Sequence, residues 1–349
     1  GFAGTESFTW KVSDGKDSSL AAKVTVNIKP DKTAPKVESV GAAGDRTEVR
    51  VSFSEPVRKD SASDPDNYSI KGYIKVKKVS VSEDGSSVVL STSQMSPETD
   101  YSLTVKGLRD LAAAENALEK TTKKFRYYAW KREGLVLLAR ADGNAKDESG
   151  YKNHGSLNEG VSYSSDAAAG KAFKFAGAGG DSKNTVSFGD IGALNGPSTF
   201  TVAFWLKRTN DRSGNTNHQI SNVMFSKGSD GDNDNLEIGT EGGKVEVYLD
   251  TQDGDGPQSH GAGIENGTWY HLALTYNKNR DQEAQLYLDG EKVKGWSQWG
   301  GNLDNAGGSP VTVGNTHHEE TPFEGLIDDV FLFNRVIGDK EIKALSGKR

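Results

Sequence analysis

Three stretches near the end of the chain decide the fold: residues 268–276 read TWYHLALTY, residues 285–293 read QLYLDGEKV and residues 323–335 read FEGLIDDVFLFNR. The first places Tyr270, Leu272, Leu274 and Tyr276 on one side and the intervening residues on the other, a period of two that is typical of a strand. The second contains two short runs around Asp-Gly, which favours a tight β-hairpin turn. The three stretches together predict a β-sheet.

These stretches resemble the strands of the laminin-G-like (concanavalin A-like) jelly roll. The resemblance begins at residues 134–139, GLVLLA, an apolar run expected for a strand buried on both faces. It continues at residues 147–155, DESGYKNHG, which match the family pattern D-x-S-G-x-x-x-H-G. The resemblance implies a jelly-roll domain over residues 133–347 that ends in one or two helical turns at 338–345.

The chain upstream reads as two smaller β units. Residues 7–28 predict a hairpin that resembles the end of a bacterial cadherin-like or immunoglobulin-like repeat, so residues 1–30 are expected to be the last part of a repeat whose other strands precede them. Residues 51–57, VSFSEPV, and 67–70, NYSI, resemble a bacterial Ig-like domain, predicted over residues 34–126. The predicted fold class is therefore all-β: small Ig-like sandwiches followed by a concanavalin A-like jelly-roll sandwich.

Composition narrows the classes of partner. The chain has 349 residues, with 49 acidic and 42 basic side chains and a net charge of −7, so it has no general attraction for nucleic acid or anionic membranes. There is no cysteine, which excludes disulfides and zinc–thiolate sites. No apolar run approaches the roughly 18 residues of a membrane helix. We expect an extracellular or cell-surface bacterial protein without membrane insertion.

Residues 121–132, TTKKFRYYAWKR, interleave basic and aromatic side chains. Such a pattern can bind single-stranded nucleic acid. The alternative is a last strand that runs into a joint between domains, with the aromatic rings packed at the boundary. We favour the joint because the protein as a whole is acidic, and we expect no nucleic-acid partner.

Two acidic patterns are candidates for calcium. Residues 230–241 carry carboxylates at EF-hand spacing, but a predicted strand at 236–238 would carry Glu241 away from the loop. The preferred candidate is Asp142 with Asp328 and Asp329, because the first and last strands of a jelly roll are commonly neighbours. Alternation places one of these last two carboxylates with Val330 and the other with Ile327, so at least one should be partly buried and need a cation or hydrogen bonds.

The resemblance adds weight to this metal site, since many laminin-G-like domains bind Ca²⁺. We therefore expect Ca²⁺ as the cofactor, with Asp142, Asp328 and Asp329 as ligands. The alternative is that the carboxylates accept backbone N–H bonds across a loop.

Candidate ligand-binding residues lie in three loops. Trp296 and Trp299 stand in a loop rich in glycine and amides, where aromatic rings could stack on sugar C–H faces. The other candidates are Asp253, Asp255 and His260 in one loop and His317 and His318 in another. Ordinary packing of the tryptophans is the competing explanation: exposed rings would favour a sugar site, and buried rings under a flat polar surface would favour a structural stalk.

No recognisable catalytic signature is present, so we expect no enzyme in these residues. The sequence favours a non-catalytic, calcium-assisted carbohydrate-binding module whose partner is a polysaccharide or glycan. One alternative is an adhesion or stalk module that binds a cell-surface protein. A further alternative is an appendage of a polysaccharide-degrading enzyme, which would need two carboxylates about 5–10 Å apart in a cleft.

Overall fold

A computed structural model describes residues 4–42, 47–82, 84–97, 99–127, 129–168, 170–177, 184–211, 220–229, 233–316 and 322–347. The described chain divides into two compact units, one up to residue 127 and the other from residue 129 onward. Strand is the dominant structure in both, which confirms the predicted all-β class. The division into three domains at residues 30 and 34 stays a prediction.

Counted over the described residues only, as for the second unit below, the first unit contains nine strands and one short helix. They are β1 (Gly4–Trp10), β2 (Ala22–Ile28), β3 (Val37–Ala42), β4 (Glu48–Phe53), α1 (Lys59–Ala62), β5 (Tyr68–Ile70), β6 (Val76–Val81), β7 (Ser87–Thr92), β8 (Thr99–Val105) and β9 (Thr121–Tyr127). A 3₁₀ turn at Pro65–Asn67 precedes β5. The sheets have the strand orders β1-β2, β3-β4-β7-β6 and β5-β8-β9.

The two larger sheets of this unit form the sandwich predicted for the Ig-like domain. Val49, Val51 and Phe53 alternate inward from β4, and Leu103 and Val105 do so from β8, all of them buried. The hairpin β1–β2 differs, because every residue of β1 is exposed. Burial of alternating apolar residues therefore holds the sandwich together, whereas the hairpin contributes little to it.

The second unit contains fifteen strands and one helix. They are β10 (Leu135–Ala139), β11 (Ser156–Leu157), β12 (Val161–Ser164), β13 (Ala172–Ala176), β14 (Val186–Ser187), β15 (Thr199–Arg208), β16 (Phe225–Ser229), β17 (Asn233–Glu241), β18 (Lys244–Thr251), β19 (Gly254–His260), β20 (Trp269–Asn277), β21 (Ala284–Leu288), β22 (Glu291–Trp296), β23 (Val311–Val313), β24 (Glu324–Phe333) and α2 (Asp339–Leu345). A 3₁₀ turn lies at Gly192–Leu194.

These strands form two antiparallel sheets that face each other across one core. The first has the order β12-β13-β24-β15-β20-β21-β22, with β10 also paired to β24, and the second has the order β11-β14-β23-β16-β17-β18-β19. Inward residues of both sheets, such as Phe204, Leu274, Val247 and Ile238, belong to one buried cluster. The pairing of β10 with β24 confirms that the first and last strands are neighbours.

The sequence pattern was correct for most strands of this unit. All five residues of β10 are buried, as predicted for a strand covered on both faces. The hairpin β21–β22 turns at Asp289 and Gly290, whose φ angles of 50° and 83° are those that favour Asp-Gly. The helix α2 lies where the closing helical turns were predicted.

The prediction of which side chains share a face of β24 around Asp328 and Asp329 was wrong. Strict alternation would place Ile327 and Val330 on opposite faces, yet both lie in the inner core. The reason is a β-bulge: the pairing of β24 with β15 shifts by one residue here, and Asp329 has a φ of 47°. A bulge inserts one extra residue, so every side chain beyond it changes face relative to the simple pattern.

The motif at residues 147–155 forms a loop organised by the Asp147 carboxylate. This buried carboxylate accepts N–H bonds from Leu138 at 3.0 Å, Ser149 at 2.8 Å and Asn153 at 3.0 Å, and an O–H bond from Ser149 at 2.8 Å. The N–H of Asp147 itself donates to His154 Nδ1 at 3.0 Å. The motif therefore fastens a loop to β10, which accounts for the spacing of its polar residues.

Replacing Asp147 with asparagine is expected to lower the free energy of unfolding by about 2–3 kcal/mol, because buried donors lose a charged acceptor. Burial raises the pKa of Asp147, but the four hydrogen bonds outweigh it and hold the pKa below its usual range. The stabilisation is therefore present above the unfolded pKa of about 3.9 and is lost as the pH falls through the lower folded pKa. Urea unfolding at neutral and acidic pH measures both effects.

A matched control for Asp147→Asn is Asp281→Asn, because Asp281 is an exposed aspartate of the same unit. We expect Asp281→Asn to change stability by less than about 0.5 kcal/mol at either pH. Equal effects of the two substitutions would show that the Asp147 loop does not stabilise the unit.

Among the described residues, the structure contains no helix both long enough and apolar enough to cross a membrane.

Candidate functional site

The predicted ligand loops at 250–263 and 295–302 lie side by side at one edge of the second unit. Strand β19 is the last strand of its sheet, and it pairs only with β18 among the described strands. The loop 297–302 contacts β19 at Gly254, Gly256 and Gln258. We call residues 252–258 and 297–302 together the β19 rim.

Close backbone contact at glycines joins the two parts of the β19 rim. A Cβ atom at Gly254 would lie only 2.7 Å from the carbonyl oxygen of Gln298, and one at Gly300 would lie 3.0 Å from the Cβ of Asp253. The side-chain amides of Gln258 and Gln298 are also hydrogen-bonded to each other. Only glycine permits such an approach of two chain segments, so the glycine-rich composition of this loop has a structural cause.

The two tryptophans of this loop point into the core, so they do not present the exposed rings that stacking on a sugar requires. Trp296 is 5% exposed and Trp299 is 0% exposed. The rings pack edge to face at 6.1 Å, and Trp299 Nε1 donates to the carbonyl of Gly256 at 3.0 Å. Burying these two large aromatic side chains stabilises the unit, and it leaves neither ring free to stack on a sugar. The structure therefore supports the packing alternative.

Tyr276 provides a second anchor for the loop. Its hydroxyl donates to the carbonyl of Gly301 at 2.9 Å, and its ring stacks on Phe200 at 5.5 Å. Burial first, followed by the charges of Glu283 and Asp253, raises the pKa of this hydroxyl above its usual range. The hydroxyl is thus a neutral donor, and the loop is held from below by three aromatic side chains.

The exposed chemistry of the β19 rim is polar and acidic. Asp253 and Asp255 are exposed, and neither makes an ion pair within the described part of the chain. Asp255 lies directly opposite Asp250 in the β18–β19 pair. Two like charges opposite each other on neighbouring strands are unfavourable, so a hydrogen-bond donor or a cation that binds between them would lower this repulsion.

Asp250 was not among the predicted site residues. Sequence alone does not pair position 250 with position 255, because the register depends on the turn at residues 252–253. The alternation within β18 does contain a signal for Asp250. Val245, Val247 and Leu249 lie in the core, so the intervening position 250 faces outward.

His260 does not join this group. It lies five residues beyond Asp255 on β19, which is roughly 16 Å along a strand. An odd separation also places the two side chains on opposite faces of the sheet. His260 is half-buried and pairs in register with Val245.

Two predicted elements lie outside the described residues. His317 and His318 belong to the segment 317–321, and the first part of the EF-hand-like pattern belongs to 230–232. The rest of that pattern runs along β17, which ends at Glu241 as the sequence predicted.

The predicted calcium ligands do not converge. Asp142 is exposed and accepts the N–H of Lys171 at 2.8 Å. Asp329 pairs with Arg140 at 3.3 Å, and the fully buried Asp328 accepts the N–H of Asp329 at 2.8 Å. Within the described residues the group of three acidic side chains with ligand atoms within 4.8 Å of one another lies elsewhere. The alternative of backbone and side-chain hydrogen bonds fits these carboxylates better, and calcium at this place stays a prediction.

Sequence models of two known families match parts of this chain. The sequence model of the concanavalin A-like lectin/glucanases superfamily matches residues 179–343, and that of the bacterial Ig-like domain matches residues 23–129. The chain therefore contains a concanavalin A-like jelly roll preceded by a bacterial Ig-like domain, and both resemblances are confirmed. No curated protein matches the chain.

Several solved structures are similar to this chain. Domain 4 of AbnA, a GH43 extracellular arabinanase from Geobacillus stearothermophilus solved with arabinotriose, is 17% identical over 62% of this chain and 100% of its own, with a TM-score of 0.47. The binding domain of Paraclostridial Mosquitocidal Protein 1 is 18% identical over 62% of this chain and 52% of its own, with a TM-score of 0.46. The Botulinum neurotoxin serotype G binding domain is 15% identical over 61% and 50%, with a TM-score of 0.46. This chain thus spans about half the length of the two toxin domains.

Proposed function

We propose that the chain is a non-catalytic carbohydrate-binding module of a secreted or cell-surface bacterial protein, and that it binds polysaccharide at the β19 rim. The observation that carries this proposal is a group of three carboxylates at the hairpin between β18 and β19: Asp253 and Asp255 are exposed, and Asp250 lies directly opposite Asp255. The matched superfamily, whose description includes lectins, is compatible with it.

The chemistry of these side chains suits sugar hydroxyl groups. A carboxylate can accept two O–H bonds at once, and such charge-assisted bonds are about twice as strong as neutral ones. The amides of Gln258 and Gln298 bond to each other and help to hold the loop 297–302 against β19. The rigid support from Trp299 and Tyr276 reduces the entropy that the loop would lose on binding.

A glycosidase is less compatible with this edge. Glycoside hydrolysis needs one carboxylic acid whose pKa is raised so that it stays protonated. Such a reaction also needs a cleft that holds the sugar between two carboxyl groups, whereas Asp253 and Asp255 are exposed at the turn between β18 and β19. We therefore place the rim in the class of binding surfaces.

The second candidate function is an adhesion or stalk module, and the buried tryptophans favour it. A sugar site commonly offers an exposed aromatic ring, and Trp296 and Trp299 offer none. The polar rim would then face a protein partner or solvent. The two functions differ in one measurable property, which is retention by polysaccharide.

The test is affinity gel electrophoresis of the full chain through a panel of plant and bacterial polysaccharides, with Ca²⁺ and with EDTA. The proposal predicts retardation by at least one polysaccharide, with a dissociation constant in the micromolar to millimolar range. No retardation by any polysaccharide under either condition would contradict it and favour the stalk module. Retardation that EDTA abolishes would support the predicted calcium, whereas unchanged retardation would remove calcium from the account.

A further inference from the structure

The first unit contains an apolar groove that the proposed glycan site does not use. It has a volume of about 330 Å³ and lies between the segment after β2 and the loops near Pro56 and Leu111. Its apolar walls are formed by Ile28, Pro30, Pro56, Leu111 and residues 112–114, and Lys29 also lines it. Leu111 is 55% exposed, so its side chain is accessible from solvent.

Three carboxylates lie together on one side of this groove. The ligand oxygens of Asp31, Glu55 and Asp110 are all within 4.8 Å of one another. Asp31 and Glu55 line the groove, and Asp110 is buried behind them. We call these three residues the acidic floor of the groove.

Hydrogen bonds fix the acidic floor in place. Asp110 accepts from the backbone N–H of Asn116 at 2.9 Å, from its Nδ2 at 2.7 Å and from the N–H of Ala112 at 3.1 Å. Asn116 Nδ2 also donates to the carbonyl of Asp31 at 3.2 Å. The segment after β2 is thereby tied to the loop that carries Asp110, and the carboxylates cannot move apart freely.

The acidic floor carries more negative charge than its surroundings balance: Lys29 also lines the groove, and none of the ion pairs among the described residues involves Asp31, Glu55 or Asp110. Burial first, and then the charges of Asp31 and Asp110, raises the pKa of Glu55 above its usual range. The nearby Arg109 pairs at 3.2 Å with Glu115, which also binds Arg58. A ligand with a positive charge would therefore complement the charge of this groove.

The geometry distinguishes between cations. An ammonium group has three N–H donors, and at hydrogen-bond lengths of about 2.8 Å their tetrahedral directions separate three acceptors by roughly 4.6 Å. The donors of a guanidinium group form a planar fork, which suits one carboxylate better than three. A calcium ion needs six to eight oxygen ligands, whereas most of the groove's wall is carbon.

We propose that this groove docks a lysine side chain of a partner polypeptide, with its ammonium group against Asp31, Glu55 and Asp110 and its methylene groups along Ile28, Pro30 and Leu111. A lysine places a charged head and an apolar stem in one side chain, which matches an acidic floor with apolar walls. The Ig-like unit thus carries a protein-docking surface of its own. The inference is independent of glycan binding, because the two surfaces belong to different units.

The test uses the ¹⁵N-labelled full chain and acetyl-Gly-Lys-Gly-amide as the probe, with the norleucine peptide as its uncharged match. We expect saturable amide shifts at residues 111–114 with the lysine peptide up to about 50 mM, and none with the norleucine peptide. Glu55→Gln is expected to weaken the binding at least about tenfold, because one charge-assisted hydrogen bond is lost. Glu38→Gln, a change at an exposed glutamate of β3, is the matched control and should leave the affinity unchanged.

Three results would overturn the inference. The first is the absence of saturable shifts at residues 111–114 with the lysine peptide. The second is equal binding by the wild type and Glu55→Gln, which would place the peptide elsewhere. The third is displacement of the lysine peptide by CaCl₂ at the same amides, which would make the floor a metal site. The amide spectrum of each variant shows directly whether it is folded.

Discussion

Replacing Trp299 with alanine is expected to lower the free energy of unfolding by about 3–5 kcal/mol, the cost of removing a large buried aromatic side chain. The side chain is completely buried, contacts Trp296 and bonds to the carbonyl of Gly256. Its loss would leave a cavity and one buried carbonyl without its donor. The same substitution should release the loop at 297–302 from β19, so it weakens any ligand bound at the rim.

Urea unfolding followed by circular dichroism measures this effect, with Trp299→Phe and Tyr151→Ala beside it. Trp299→Phe keeps most of the ring and should lose less stability than Trp299→Ala. Tyr151 is 64% exposed in the same unit, and its replacement by alanine should change stability by less than about 0.5 kcal/mol. A loss below about 1 kcal/mol for Trp299→Ala would mean that the ring is exposed after all, and it would restore the stacking hypothesis.

Replacing Lys227 with methionine is expected to destabilise the second unit by roughly 3 kcal/mol, because the charge-assisted bond to Asp190 is lost and the carbonyl of Ser309 is left without this donor. Lys227 is completely buried, and its Nζ lies 2.7 Å from Asp190 Oδ1 and 2.5 Å from the carbonyl of Ser309. Burial lowers the pKa of Lys227, and the bond to Asp190 opposes this. Lys227 thus connects β16 to the loop that contains Asp190 and to the loop that contains Ser309.

The double variant Lys227→Met/Asp190→Asn separates the charge from the packing. It should recover part of the stability that Asp190→Asn alone loses, because Asp190→Asn leaves the buried ammonium group of Lys227 without its counter-charge. Lys174→Met, at an exposed position of β13, should stay within about 0.5 kcal/mol of the wild type. The measurement is the midpoint of urea unfolding, compared between variants whose unfolding free energy has the same dependence on urea concentration. If Lys227→Met were as stable as the wild type, the pair would not stabilise the unit.

Most strands were predictable because their causes are local. Each inward side of β4, β15 and β20 alternates with a period of two, and the Asp-Gly turn before β22 fixes a short-range register. The bulge at Asp329 was not predictable in this way. It depends on how β24 pairs with two neighbours that are more than a hundred residues away in sequence.

Only part of the candidate site's surroundings was predictable. Asp253 and Asp255 were predicted in a polar loop and both are exposed, but the sequence does not show whether a neighbouring loop with two tryptophans folds its rings inward. That outcome depends on the space beneath β19, which Tyr276 and Gly256 define only in the folded chain. The acidic floor was missed for the same reason, since Asp31, Glu55 and Asp110 are brought together only by tertiary folding.

The most direct test of the central claim is the affinity of Asp253→Asn/Asp255→Asn for whichever polysaccharide retards the wild type. Both side chains are exposed, so the double substitution should leave the denaturation midpoint unchanged. If the β19 rim binds the glycan, the affinity falls at least about tenfold, while the control Asp281→Asn binds as the wild type does. If the double variant binds with wild-type affinity, the glycan is held elsewhere and the β19 rim is not the binding site.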